Sequence, residues 1–118
     1  MKKSNYIAGQ WVEGTSSIKN INPSDTSEMI DEYTTCTDEQ FEQSIRSAAI
    51  AQKEWETVGI EKKSQILTNI GDELIQKSQQ IGELLSREEG KPLNEGIGEV
   101  SRAGQQFQFY GSECLRLY

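Results

Sequence analysis

Glu88-Glu89-Gly90-Lys91-Pro92-Leu93-Asn94 is the stretch on which the fold turns. A run of helix formers meets a glycine, the residue that takes a left-handed closing position at least cost, and a proline two places later bars continuation. Asn94 can then cap a new helix. Downstream, Ile97, Val100, Gly104, Phe107, Gly111, Cys114 and Tyr118 recur at steps of three and four. That spacing draws one line along a helix, with two glycines that admit close backbone approach. Leu115-Arg116-Leu117-Tyr118 holds no Gly, Asn or Pro, so this helix is expected to run to the last residue, as in a chain cut within an element.

Working back from Gly90, a single helix is expected from about Glu61 to Glu89. Its apolar stripe is Ile66, Ile70, Leu74, Ile81, Leu84 and Leu85, widened by Leu67 and Ile75. Gly71 and Gly82 each weaken such a helix by about 1 kcal/mol relative to Ala, which implies a closely packed neighbour. An earlier helix opens at Thr37, where Gln40 three residues on completes the form of a capping box. Phe41, Ile45, Ala48, Ala49 and Trp55 share one side of it, and Val58-Gly59 is expected to close it with Gly59 left-handed.

The first third reads as short strands. Tyr6-Ile7-Ala8-Gly9-Gln10-Trp11-Val12 places β-prone residues on both sides of a glycine-containing turn, the form of a hairpin. Glu13 to Ser17 is polar loop, Ile18-Lys19-Asn20-Ile21 a further strand, and Asn22-Pro23-Ser24-Asp25 a turn. Met29 to Thr35 is a last extended stretch. The expected fold is therefore an α+β fragment, mostly helical: a short antiparallel meander over residues 1–36, then three α-helices over 37–118.

Composition bounds the function. Lys+Arg 12 against Asp+Glu 19 leaves a formal charge of -7, which repels a phosphate backbone and argues against nucleic acid. Only 34% of the residues are apolar, so the chain is expected to leave an apolar face in need of a partner. No secretory signal core and no membrane-spanning run is present in the sequence, and a soluble, cytoplasmic protein is expected. His 0 removes the commonest general base, the Ser-His and Cys-His nucleophile pairs, and any imidazole metal site. Cys36 and Cys114 form no metal spacing; they admit one disulfide, though a reduced pair suits the expected compartment.

Five stretches, in order, resemble the amino-terminal region of the aldehyde dehydrogenase superfamily. These are the Tyr6–Val12 hairpin, the turn Ile21-Asn22-Pro23-Ser24-Asp25, and Ala48-Ala49-Ile50-Ala51 followed by Trp55. The most specific is Glu88-Glu89-Gly90-Lys91-Pro92-Leu93 with Glu95, Glu99 and Val100; Phe109-Tyr110-Gly111 is the last. Together they run from Tyr6 to Tyr118, the first part of a much longer family chain, and look most similar to semialdehyde dehydrogenases. The resemblance implies part of an α/β, Rossmann-like cofactor-binding domain, whose sheet this chain does not supply. It also implies an enzyme that oxidises aldehydes with NAD or NADP through a cysteine thioester, and it places the catalytic cysteine, general base, oxyanion donor and cofactor loop beyond the matched segment.

No catalytic, cofactor-binding or metal residue is therefore assigned here. Cys36 has no neighbouring cation in sequence, and Cys114 sits on the packing line, where a thiol serves as a small hydrophobe. Gly96-Ile97-Gly98 and Gly90-Lys91 lack the strand-to-helix context of a phosphate loop and read as a helix boundary. Glu88, Glu89, Glu95 and Glu99 read as helix-end and solvated charges. Arg102 is the one candidate substrate residue. The resemblance puts its helix on the substrate tunnel, and a guanidinium off the apolar seam could receive the distal carboxylate of a semialdehyde; the plainer reading is a solvated arginine. The chain alone is expected to be inactive and to associate with itself through exposed helix faces. The competing readings are a stand-alone helical oligomerisation module and, poorly supported without a nucleophile and base, a small complete enzyme.

Overall fold

The computed structural model describes residues 2–116, with the side chains of Lys2 and Lys3 left aside. By their contacts the residues fall into two compact units that divide between Thr57 and Val58. The first helix therefore groups with the strands, later than the change from strand to helix at 36/37.

In the first unit, β1 (Lys2–Lys3) precedes a hairpin of β2 (Asn5–Ile7) and β3 (Gln10–Val12). Ala8 and Gly9 turn it with φ of 51° and 81°, both positive as a two-residue type I′ turn requires, and Tyr6 pairs with Trp11. β4 (Ser16–Ile21) and β5 (Met29–Thr35) lie antiparallel, with a register shift at Asn20/Ile21. Between them the Asn22 side chain accepts from the Ser24 N–H at 2.9 Å and donates to Glu28 at 2.8 Å, which shapes the Asn-Pro turn.

The expected single meander needs correction. β1 pairs parallel with β5, giving a three-stranded sheet of order β1-β5-β4 separate from the β2-β3 hairpin. Two-residue strands carry no periodicity, so nothing in Lys2-Lys3 signals this pairing.

α1 (Asp38–Thr57) completes the first unit. Its capping box forms in full: the Gln40 N–H donates to Thr37 Oγ1 at 3.1 Å, and the Thr37 N–H donates to Gln40 Oε1 at 3.0 Å. Gln40 also donates through Nε2 to the Glu13 carbonyl at 2.8 Å, tying the helix start to the loop after the hairpin. Yet α1 buries no residue: Phe41, Ile45 and Trp55 are 58%, 54% and 43% exposed.

The second unit holds α2 (Ile60–Gln76), α3 (Ser78–Glu89) and α4 (Leu93–Cys114). Four helices thus stand where three were expected, because the helix read from Glu61 to Glu89 breaks at Lys77 (φ -97°, ψ 9°). Gly59 is extended (φ -58°, ψ 149°) and precedes α2, so it does not close α1 in a left-handed conformation. Gly90 does close α3, at φ 70° and ψ 24°, and the Lys91 N–H donates to the Ser86 carbonyl at 3.1 Å.

Asn94 lies inside the first turn of α4 and caps nothing; Pro92 occupies the cap position, its carbonyl accepting from the Glu95 and Gly96 N–H groups. At the other end helical residues stop at Cys114. Leu115 and Arg116 form a turn whose N–H groups donate to Ser112 and Glu113, and Leu117 and Tyr118, including the last position of the seam, lie outside the described residues. No helix among the described residues is long and apolar enough to cross a membrane.

α4 packs on α2 and α3 through small residues. A Cβ on Gly71 would lie 2.7 Å from the Gly104 carbonyl, and one on Gly82 would lie 2.5 Å from Ile97 Cα. Bare backbones therefore touch, which explains two glycines inside helices that they weaken. Val100 and Ile7, one in each unit, are the buried apolar side chains that form the core among the described residues, at 6% and 8% exposure.

Candidate functional site

α4 carries the candidate. Gly96, Val100, Gly104 and Gly111 are its buried side, and Gly96 extends the seam beyond the residues expected from sequence. Arg102 projects from another side with Gln105, Gln106, Phe109 and Tyr110, at spacings of three, four, seven and eight, lining an open groove of about 320 Å³. Phe109 and Tyr110 meet edge-on, ring centroids 5.3 Å apart. Arg102 is exposed and has no ion pair among the described residues, so its guanidinium donors are available to an anion. Beside this groove a second trough, of about 360 Å³, is lined by Leu67 of α2 and by Ala103, Gln106, Phe107 and Tyr110.

The α3–α4 corner holds an ion-paired group whose members the sequence suggests only as a helix boundary and solvated charges. Lys91, mostly buried at 13% side-chain exposure, donates to Glu89 at 2.7 Å and to Glu99 at 2.6 Å. Hydrogen bonds to Glu89 and then Glu99 hold its ammonium above the ordinary lysine range. Ser86, also buried, donates to the Gly82 carbonyl at 2.8 Å beneath Pro92. A signal was present: a lysine between glutamates two residues before and eight after, across a Gly-Pro corner. Of the four acidic residues taken as solvated charges, Glu89 and Glu99 are brought together by this lysine.

The glycines around Gly96 do not form a phosphate-binding loop. Gly96, Ile97 and Gly98 lie within α4, with Gly96 packed against Ser86 and Gly82, so their backbone donors are not offered to a phosphate. Lys91 is held by two carboxylates at a helix C-terminus. Cys36, exposed after β5, and Cys114, half-buried on α4, are unpaired thiols without a histidine anywhere in the chain.

Residues 11–118 match the family model described as "Aldehyde dehydrogenase family". The chain belongs to the aldehyde dehydrogenase family. It corresponds to that family's amino-terminal segment. This aldehyde dehydrogenase segment is 39% identical over 95 residues to aldehyde dehydrogenase family 7 member A1 of Pisum sativum, covering 80% of the chain and 18% of the relative. An alpha-ketoglutarate semialdehyde dehydrogenase of Haloferax volcanii is 30% identical over 115 residues, covering 96% of the chain and 24% of that protein. Among solved structures, the NADP-dependent glyceraldehyde-3-phosphate dehydrogenase of Bacillus halodurans, complexed with NADP, superposes with a TM-score of 0.94 at 28% identity. It covers 99% of this chain, which in turn covers 25% of it. The segment thus spans about a quarter or less of the relatives it matches.

Proposed function

We propose that this chain serves as the amino-terminal segment of an NAD(P)-dependent aldehyde dehydrogenase that converts an aldehyde or semialdehyde to its acid, and that by itself it neither binds the cofactor nor turns over. The observation that carries this reading is the family match over residues 11–118 together with a TM-score of 0.94 to a quarter of an NADP-complexed enzyme. The absence of histidine supports catalysis by groups outside these residues. A covalent chimera tests it: residues 1–118 replace the matched quarter of the Bacillus halodurans enzyme. Aldehyde-dependent reduction of NADP is expected from the chimera and not from the chain alone. A folded chimera without activity, or turnover by the isolated chain, would overturn the reading.

Arg102 is assigned, within this reading, to the distal carboxylate of a semialdehyde, a choice supported by its exposure beside Gln105 and Gln106 and by the semialdehyde dehydrogenase among the relatives. In the chimera Arg102→Met should raise KM for acidic semialdehydes about tenfold and leave neutral aldehydes little changed, the size expected for one charge-assisted contact. Equal effects on both substrate types would reject the assignment.

The exposed apolar residues favour a second reading, a helical module that works by association. Ile50 on α1 and Tyr110 on α4 are 65% and 62% exposed, so the isolated chain is expected to self-associate through its helix faces. Light scattering at tens of micromolar (about the range of modest interfaces) should report a dimer or larger species, and a clean monomer would count against it.

A further inference from the structure

We infer that Lys91 sets whether Arg102 is open to an anion: by holding the Glu99 carboxylate, it keeps the acidic neighbour one turn away on α4 from closing on the Arg102 guanidinium. Resting on the assignment of Arg102 to an anionic substrate, this makes Lys91 a positioning residue for specificity that acts through Glu99.

On a helix, side chains three and four positions apart are neighbours, and a glutamate placed N-terminal to a cation at that spacing pairs with it. Arg102 has four such neighbours on α4. Gly98 offers no side chain, Gln105 and Gln106 carry no charge, and Glu99 is the acidic one. Elsewhere in the chain this spacing is used. Arg46 pairs with Glu42 at 3.0 Å, Lys77 with Glu73, and Arg116 with Glu113 at 3.3 Å. Arg102 departs from them: its glutamate stands at the Glu113–Arg116 spacing, yet it has no ion pair among the described residues.

Lys91 supplies the reason. Its side chain is 13% exposed and donates to Glu99 at 2.6 Å and to Glu89 at 2.7 Å, across the Gly90 corner. Attraction between charges grows as water is excluded, so a mostly buried ammonium outcompetes an exposed guanidinium for one carboxylate. Hydrogen bonds to Glu89 and then Glu99 hold that ammonium above the ordinary lysine range, so it stays charged at neutral pH. Glu99 itself is 58% exposed, free to swing towards Arg102 once Lys91 is gone.

Phenylglyoxal, which modifies unpaired guanidinium groups, reads this on the 118-residue chain at low ionic strength, with peptide mass as the readout. Arg46, already paired, is the internal standard. Lys91→Met should slow modification of Arg102 about twofold, the size of one exposed pair at helical spacing, and leave Arg46 unchanged. Adding Glu99→Gln to Lys91→Met should restore the wild-type rate, which a loosened helix would not do. Glu99→Gln alone should change nothing. An unchanged Arg102 rate in Lys91→Met, a slowed rate that Glu99→Gln fails to restore, or a faster rate in Glu99→Gln alone overturns the inference. In the chimera, Lys91→Met should raise KM for acidic semialdehydes about twofold relative to neutral aldehydes, and Glu99→Gln should reverse the rise. A selective effect of Arg102→Met without that rise overturns the inference and leaves the substrate reading standing. The expected labelling, with equal effects of Arg102→Met on both substrate types, rejects the substrate reading and leaves the capture of Glu99 standing.

Discussion

Two glycines in this chain, Gly82 and Gly98, carry opposite obligations. A Cβ on Gly82 would sit 2.5 Å from Ile97 Cα, whereas one on Gly98 would meet nothing within 4 Å. Gly82→Ala should therefore destabilise the second unit by about 1–3 kcal/mol through overpacking. Gly98→Ala should stabilise it by about 1 kcal/mol through helix propensity alone. Urea unfolding followed by circular dichroism separates the two signs. Lys91 gives a pH signature. Its folded pKa lies above the ordinary value of 10.5, so the stability it contributes is fully present below that pH and is lost as pH rises through the folded value. Wild type should then melt above Lys91→Met at neutral pH, and the gap should close only in strongly alkaline buffer. A gap that closes between pH 7 and 9 would contradict the clamp. Reading by residue type alone hid this role, because partners eight positions apart become neighbours only after the chain turns at Gly90.

At the level of elements, local chemistry was legible and register was not. The Thr37–Gln40 box, the hairpin turn at Ala8-Gly9, the strand from Met29 to Thr35 and the stop at Gly90 all follow from short-range rules, and all are present. Replacing Thr37 with Ala should cost α1 about 1 kcal/mol, read as a lower helical signal and midpoint, while Thr37→Ser should cost little. The break at Lys77 was not legible, since Gln76-Lys77-Ser78 contains neither Gly nor Pro. Its cause is tertiary. Gly71 lies against Gly104 and Gly82 against Ile97, so eleven residues on one side oppose seven on the other. A straight helix advances about 16 Å over eleven residues and about 11 Å over seven, and the kink at Lys77 absorbs the mismatch. Asn94 failed as a cap for a simpler reason: Pro92, fixed near the helical φ, opens α4 two residues earlier.

For the whole molecule, the family was legible because five ordered motifs survive in one chain, and the architecture follows from the family. The substrate role proposed for Arg102 rests on the resemblance, since a helix face reveals its neighbours only when the opposing layer is present. The uneven distribution of burial has a kinetic consequence. α1 is capped well but buries no side chain, while α4 is pinned along its length by Gly96, Val100, Gly104 and Gly111. A helix without a buried side chain opens readily, because most helical stability comes from tertiary packing. In deuterated water the amides of residues 41–57 should exchange within seconds to minutes, and those of residues 97–111 far more slowly, as read from separate peptides by mass spectrometry. Anything that later covers Phe41, Ile45 and Trp55 would announce itself first as delayed deuteration of α1, before any change in shape or activity.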